Sequence, residues 1–146
     1  MVGALVSDSD PRVSLEAMTQ LAHSEHKAGV APLSAWLLAH DKSCLSAKNN
    51  NTERCVFAVY AIGQCAQYEP IGSPHRLEAA KTAVGFLMGK EPKLREVSAV
   101  ALSFVGTKEE RDSLGALLKA ERSGEFEKRN SPEVLDSISQ IAKKLP

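Results

Sequence analysis

Four side chains with metal-ligating chemistry fall at helical spacing: His23, His26, His40 and Cys44. His23 and His26 are three residues apart, and His40 and Cys44 are four apart. Each pair therefore shares one face of a helix. Zinc takes four nitrogen or sulfur ligands in a tetrahedron, and two facing helical pairs could supply them. The pattern H-x2-H, then thirteen residues, then H-x3-C is not a familiar metal motif. The segment "LAHSEHKAG" reads more simply as a polar helix end, where His and Lys oppose the negative end of the dipole.

His40 and Cys44 also form the one local pair suited to thiol nucleophilic chemistry, which needs a base beside the nucleophile. No oxyanion-hole pattern lies nearby. The paired carboxylates Glu109 and Glu110 belong to a capping turn. Glu121, Glu125 and Glu127 sit in the mixed-charge segment "AERSGEFEKRN", which reads as a solvated connection. No glycine-rich phosphate loop is present. These residues give no reaction, so no catalytic residue and no cofactor is expected.

The chain has 146 residues, 43% of them apolar and 25% charged, ordinary values for a globular protein. Length and composition predict one domain over residues 1–146, with residues 1–10 as a loose N-terminal tail. Lys plus Arg equals Asp plus Glu at 18 each, so no basic excess supports binding to nucleic acid. The apolar run near the start is too short to cross a bilayer, so no membrane partner is expected. Cys44, Cys55 and Cys65 make an odd count without a CxxC pair, which predicts reduced thiols and a cytoplasmic protein. Cys55 and Cys65 read as small core residues. Asn50 heads an N-x-T acceptor pattern, read as unmodified in the absence of a leader.

Punctuation divides the chain into seven helical segments. Asp10–Pro11, Ser73–Pro74 and Ser131–Pro132 are caps followed by proline at the first helical position. Thr52 is read as the cap after the polar loop at 47–53. Thr107 and Glu110 form a capping box behind the stop at Gly106. Apolar stripes recur at three and four: Leu77, Ala80, Val84 and Leu87, then Leu114, Leu117 and Leu118, then Ile138, Ile141 and Leu145. Gly63 and Gly85 fall inside helical segments and predict close approach of a neighbouring helix. Trp36 is read as a core filler.

The segments also repeat. Arg12, Arg54, Arg95 and Asp136 align with steps of 42, 41 and 41. Ala17, Val59, Val100 and Ile141 then share a column, as do Leu21, Gly63, Phe104 and Leu145. A period of about 40 to 47 is that of two- or three-helix repeats. Within it, "REVSAVALSFVG" followed by "TKEERDSLGALLKAE" resembles a HEAT-like repeat of the armadillo/HEAT type: an early basic residue, a small and aliphatic first helix, a glycine stop, then a second amphipathic helix. The usual buried Asp and Arg of that pattern are not cleanly present. The resemblance implies an all-α fold, a short right-handed α-solenoid of about three helical pairs plus a C-terminal capping helix. An irregular helical bundle is the alternative.

Such stacks usually bind on the face of their second helices, here about 31–41, 73–89 and 107–122. Off-stripe polar residues on the second and third of these are His75, Lys81, Arg111, Asp112 and Lys119. The expected function is a non-catalytic protein–protein interaction module (adaptor, chaperone or immunity type) engaging another protein through them. The alternative is a metal protein or enzyme using His23, His26, His40 and Cys44.

Overall fold

Local capping sets the helices. The computed structural model describes residues 2–24, 26–46 and 51–146. In chain order they form α1 (Val2–Leu5), α2 (Pro11–Ser24), α3 (Val30–Ala39), α4 (Asp41–Ser46), α5 (Thr52–Ala66), α6 (Pro74–Val84), α7 (Pro92–Val105), α8 (Arg111–Ser123) and α9 (Pro132–Lys144). No strand occurs among the described residues. The acceptor Asn50 lies outside them.

The caps explain the boundaries. The Ser73 hydroxyl accepts from the Arg76 amide, and the Ser131 hydroxyl accepts from the Val134 amide. Thr107 and Glu110 close a capping box over a 3-10 turn that leads into α8. The cap of α5 is Asn51, one residue before the expected Thr52. Gly124 ends α8 in the left-handed region, at φ 79°, where a side chain would be strained.

α5 is the central helix. It packs against α2 on one side and α7 on the other, and α9 packs on α7 and α8. α3 and α6 lie beside each other, and each also contacts α5. Ser34 and Thr82 join α3 to α6 through their hydroxyls at 3.2 Å. The buried apolar side chains make one cluster running from Val6 to Leu145, with Trp36 among its largest members.

Small residues allow the closest helix crossing. A Cβ built on Gly63 would lie 3.0 Å from the Ala101 Cα and 3.1 Å from Phe104 Cδ2. The expected close approach is therefore present at Gly63. It is absent at Gly85, which ends α6 rather than sitting inside it.

Polar groups hold the ends together. Arg95 and Glu121 are both fully buried, 3.0 Å apart. Arg95 also donates to the carbonyls of Gly89 and Lys90, each at 2.8 Å, and to that of Lys128. Its guanidinium carbon lies 3.8 Å from the Phe126 ring centroid. Glu121 accepts from the Asn130 amide and side chain. Arg76 donates to the carbonyls of Gln67, Glu69 and Val105, tying the ends of α5 and α7 to the start of α6.

Several expectations are corrected here. Residues 2–10 are not a loose tail: Val2–Leu5 form a helical turn on α2 and α3, Val6 is buried, and its carbonyl accepts from Ser14. Glu121 is not solvated, because Arg95 reaches it from α7. Arg95 also supplies a buried arginine that the sequence pattern does not reveal. Leu77 leaves the core stripe and is 53% exposed, since α6 turns Ala79, Ala80 and Ala83 inward instead. Cys44 and Cys55 are not reduced: they form a disulfide, while Cys65 is a free buried thiol.

Truncating one partner of a buried ion pair leaves the other charge unpaired. Arg95→Ala is expected to cost about 3–5 kcal/mol in urea unfolding. Burial pushes the Glu121 carboxyl up, but hydrogen bonds from Arg95 and Asn130 outweigh it and hold it below its ordinary value of 4.5. A lowered carboxyl contributes stability above its unfolded value and loses it as pH falls through the folded one. Wild type should therefore lose stability more steeply than Glu121→Gln below about pH 4.5. Gly63→Leu should destabilise by about 1–3 kcal/mol through overpacking. Gly115→Ala on α8 meets nothing within 4 Å and should stabilise by about 0.5–1 kcal/mol in the same assay.

Candidate protein-binding face

α3 is apolar on every side. Its sequence VAPLSAWLLA contains no charge, and its one polar side chain, Ser34, turns toward Thr82 on α6. Val30, Leu33, Trp36 and Leu37 are buried, which leaves Ala31, Ala35, Leu38 and Ala39 facing outward. Leu38 is 65% exposed. An all-round apolar helix is ordinarily covered on all sides.

α6 lies beside α3. Its inner residues are the three alanines, so its outer side carries Leu77, Glu78 and Lys81. Met88, in the turn after α6, is 48% exposed. α8 differs: Leu114, Leu117 and Leu118 turn inward, and Arg111, Asp112, Lys119 and Arg122 face water around Gly115 and Ala116. The exposed sides of the three helices thus differ: apolar on α3, mixed on α6 and charged on α8.

The five predicted binding residues divide between roles. Lys81, Asp112 and Lys119 are exposed, and among the described residues none forms an ion pair. Arg111 is exposed but donates to the Leu145 carbonyl at 2.8 Å, fastening the end of α9. His75 is half-buried, and its Nδ1 is buried without a hydrogen-bond partner among the described residues. Sequence reasoning missed Leu38 and Met88, and it placed Leu77 in the core. The charge-free composition of α3 is the signal that could have found Leu38.

The alternative metal set is committed elsewhere. The His23 ring donates through Nδ1 to the Thr19 carbonyl at 2.8 Å, and His40 does the same to the Trp36 carbonyl at 2.8 Å. His40 also stacks on Trp36 at 4.2 Å between centroids, and Arg54 lies over the same indole at 5.2 Å. His26 Nδ1 accepts from the Ala28 amide at 3.0 Å, capping a short 3-10 turn. Cys44 has no thiolate to offer, because it is bonded to Cys55. Among the described residues no group of three or more His, Cys, Asp and Glu side chains converges on one point. The same bond removes Cys44 as a nucleophile in the oxidised protein.

A separate groove of about 450 Å³ lies between the end of α4 and the connection after α8. Ser46, Lys90, Glu91, Phe126 and Lys128 contribute to its walls. Lys128 and Glu91 pair there at 3.4 Å. No described helix is long and apolar enough to cross a membrane. Comparison of the chain with family models, with curated proteins and with solved structures finds no match.

Leu38 and Leu77 make little core contact, so replacing both should leave the fold intact. The double variant Leu38→Glu/Leu77→Glu is expected to change unfolding free energy by no more than about 1 kcal/mol, as surface sites do. Chemical denaturation checks this.

Proposed function

We propose that the chain is a non-catalytic interaction module, and that its helices form a short α-solenoid whose second-helix face receives another protein. Two rows are consistent with the layering: α2, α5, α7 and α9 contact in succession, and α3 lies beside α6. Three of the four members of one repeat column fit it. Ala17 and Val59 are buried and Ile141 packs half-buried against the core, while Val100 is half-buried outside that cluster. Each helical pair in such a stack leaves apolar surface for the next pair to cover.

One observation carries the functional reading: the outer side of α3 is apolar and uncovered, and Leu77 on the neighbouring α6 and Met88 after it are exposed as well. Large exposed apolar residues grouped on one face mark interaction sites more often than isolated ones do. The neighbouring charges suit an electrostatically patterned partner. Lys81 and Lys119 are exposed and unpaired among the described residues, so their charge is free to steer an acidic partner and set its register. The reading assigns no reaction to the chain.

The test uses the stable Leu38→Glu/Leu77→Glu variant beside wild type, with a Lys81→Glu/Lys119→Glu variant as a second arm. Bait proteins are cross-linked in extract from the native host, and partners are identified by mass spectrometry. A partner whose cross-links map to α3 and α6 should bind the leucine variant about 10- to 100-fold more weakly, as loss of two core interface residues implies. The lysine variant should slow association and weaken its salt dependence. Undiminished binding by the leucine variant would remove this face as the binding site.

A further inference from the structure

We propose that Cys44 and Cys55 are a redox modification site: oxidation of the pair to a disulfide fixes α4, and with it one wall of the groove at Lys90 and Phe126. The two sulfurs are bonded, with Cα atoms 5.7 Å apart and a sequence separation of 11. The bond joins the end of α4 to the start of α5.

α4 has little else to hold it. It is six residues long, and a helix that short is marginal by itself. Cys44 is its one buried residue. Its remaining ties are few: Leu45 packs half-buried against the core, and the His40 carbonyl accepts from the Cys44 amide and the Ser43 hydroxyl. Ser43 accepts from the Asn51 side chain at 3.3 Å, and the Leu45 carbonyl accepts from the Lys90 amide at 2.9 Å. The second of these couples α4 to the groove. Lys90 lines it, Ser46 of α4 faces it, and the Gly89 and Lys90 carbonyls accept from Arg95. Arg95 in turn stacks on Phe126 in the opposite wall. A covalent clamp on Cys44 therefore bears on the groove through one carbonyl and one turn.

The chemistry balances as thiol–disulfide exchange. A cysteine thiolate attacks a sulfur of a small-molecule disulfide, such as oxidised glutathione, and expels one thiolate. The second cysteine then attacks the mixed disulfide and releases the second thiolate. In sum, two protons and two electrons pass from the cysteine pair to the reagent, which becomes two thiols. Cys65 takes no part. It stands ten residues further along α5, about 15 Å by helical rise. Its thiol is buried, donates to the Leu21 carbonyl, and is pushed up to about 11 by that burial. Disulfides persist where the surroundings are oxidising. The site thus makes the placement of α4 depend on the redox state of the compartment.

The test has two parts on the full chain. First, protein purified without reductant is incubated with oxidised glutathione, denatured, alkylated and digested. A linked Cys44–Cys55 peptide with alkylated Cys65 is expected, and free Cys44 and Cys55 would overturn the proposal. Second, amide hydrogen exchange is compared between oxidised wild type, the reduced wild type and Cys44→Ser/Cys55→Ser. The Lys90 amide should exchange at least about 10-fold faster in the last two, while amides in the middle of α7 keep their protection. Equal Lys90 exchange in all three forms would overturn the coupling. So would loss of protection throughout α7 on reduction, since the bond would then hold the whole fold rather than α4.

Discussion

The arrangement of the C-terminal half turns on a single buried cation. Arg95 has no exposed surface, so its terminal guanidinium nitrogens depend on acceptors inside the protein. It finds them on three separate segments: the turn at Gly89 and Lys90, the Lys128 carbonyl, and the Glu121 carboxylate on α8. Glu121 then needs acceptor capacity filled, and Asn130 does so while its side chain also donates to the Pro92 carbonyl. A stretch that would otherwise wander, from Gly124 to Ser131, is thereby drawn over the start of α7. Phe126 completes the enclosure by covering the guanidinium. The Nε of Arg95 has no partner, which is one measure of how far burial has been pushed at this point.

The central helix α5 uses a different means of close packing. There the helices meet through small residues: Gly63 against Ala101 between α5 and α7, and Gly29 against Cys65 where the turn before α3 meets α5. Close approach lets α5 touch neighbours on several sides, and eight of its fifteen residues are buried as a result. With its inner face set by Trp36 and Leu37, α3 has no freedom to rotate Leu38 inward. Its exposed apolar side therefore follows from its packing, since the residues that anchor it leave only alanines and one leucine for the surface. α8 reaches the opposite result, because three leucines satisfy its inner face and charges occupy the rest.

What could be read beforehand follows the range of each interaction. Caps act within three or four residues, so Ser73, Ser131 and the Thr107–Glu110 box were legible as written, and so were the helices they begin. Gly63 was legible because glycine in a helix interior is costly and asks for a reason. Interactions across longer separations were not. Glu121 resembles any surface glutamate until Arg95, 26 residues earlier, turns toward it. The Cys44–Cys55 bond needs the reversal between α4 and α5, which an odd cysteine count does not reveal. Leu77 failed for another reason. Both Leu77–Ala80–Val84 and Ala79–Ala80–Ala83 fit helical spacing, and periodicity alone does not say which stripe faces inward. The smaller stripe won because α6 lies close to α5 and α7.

Most side chains that looked reactive in the sequence are engaged with the protein's own backbone. His23 and His40 donate to carbonyls one turn back, His26 caps a turn, and Arg111 holds the end of α9. Helix termini leave unpaired carbonyls and amides, and a fold of many short helices has many of them. Polar side chains near those ends are drawn into satisfying them. Residues free of that duty are found on the outer sides of α3, α6 and α8, where Leu38, Leu77, Lys81 and Lys119 have no internal task. A partner that covers apolar surface on α3 while pairing charge on α6 and α8 would need nothing from the core to rearrange. That separation, with structural polarity at the helix ends and uncommitted side chains on the outer sides of these helices, is why those sides and not the histidines are the better candidate.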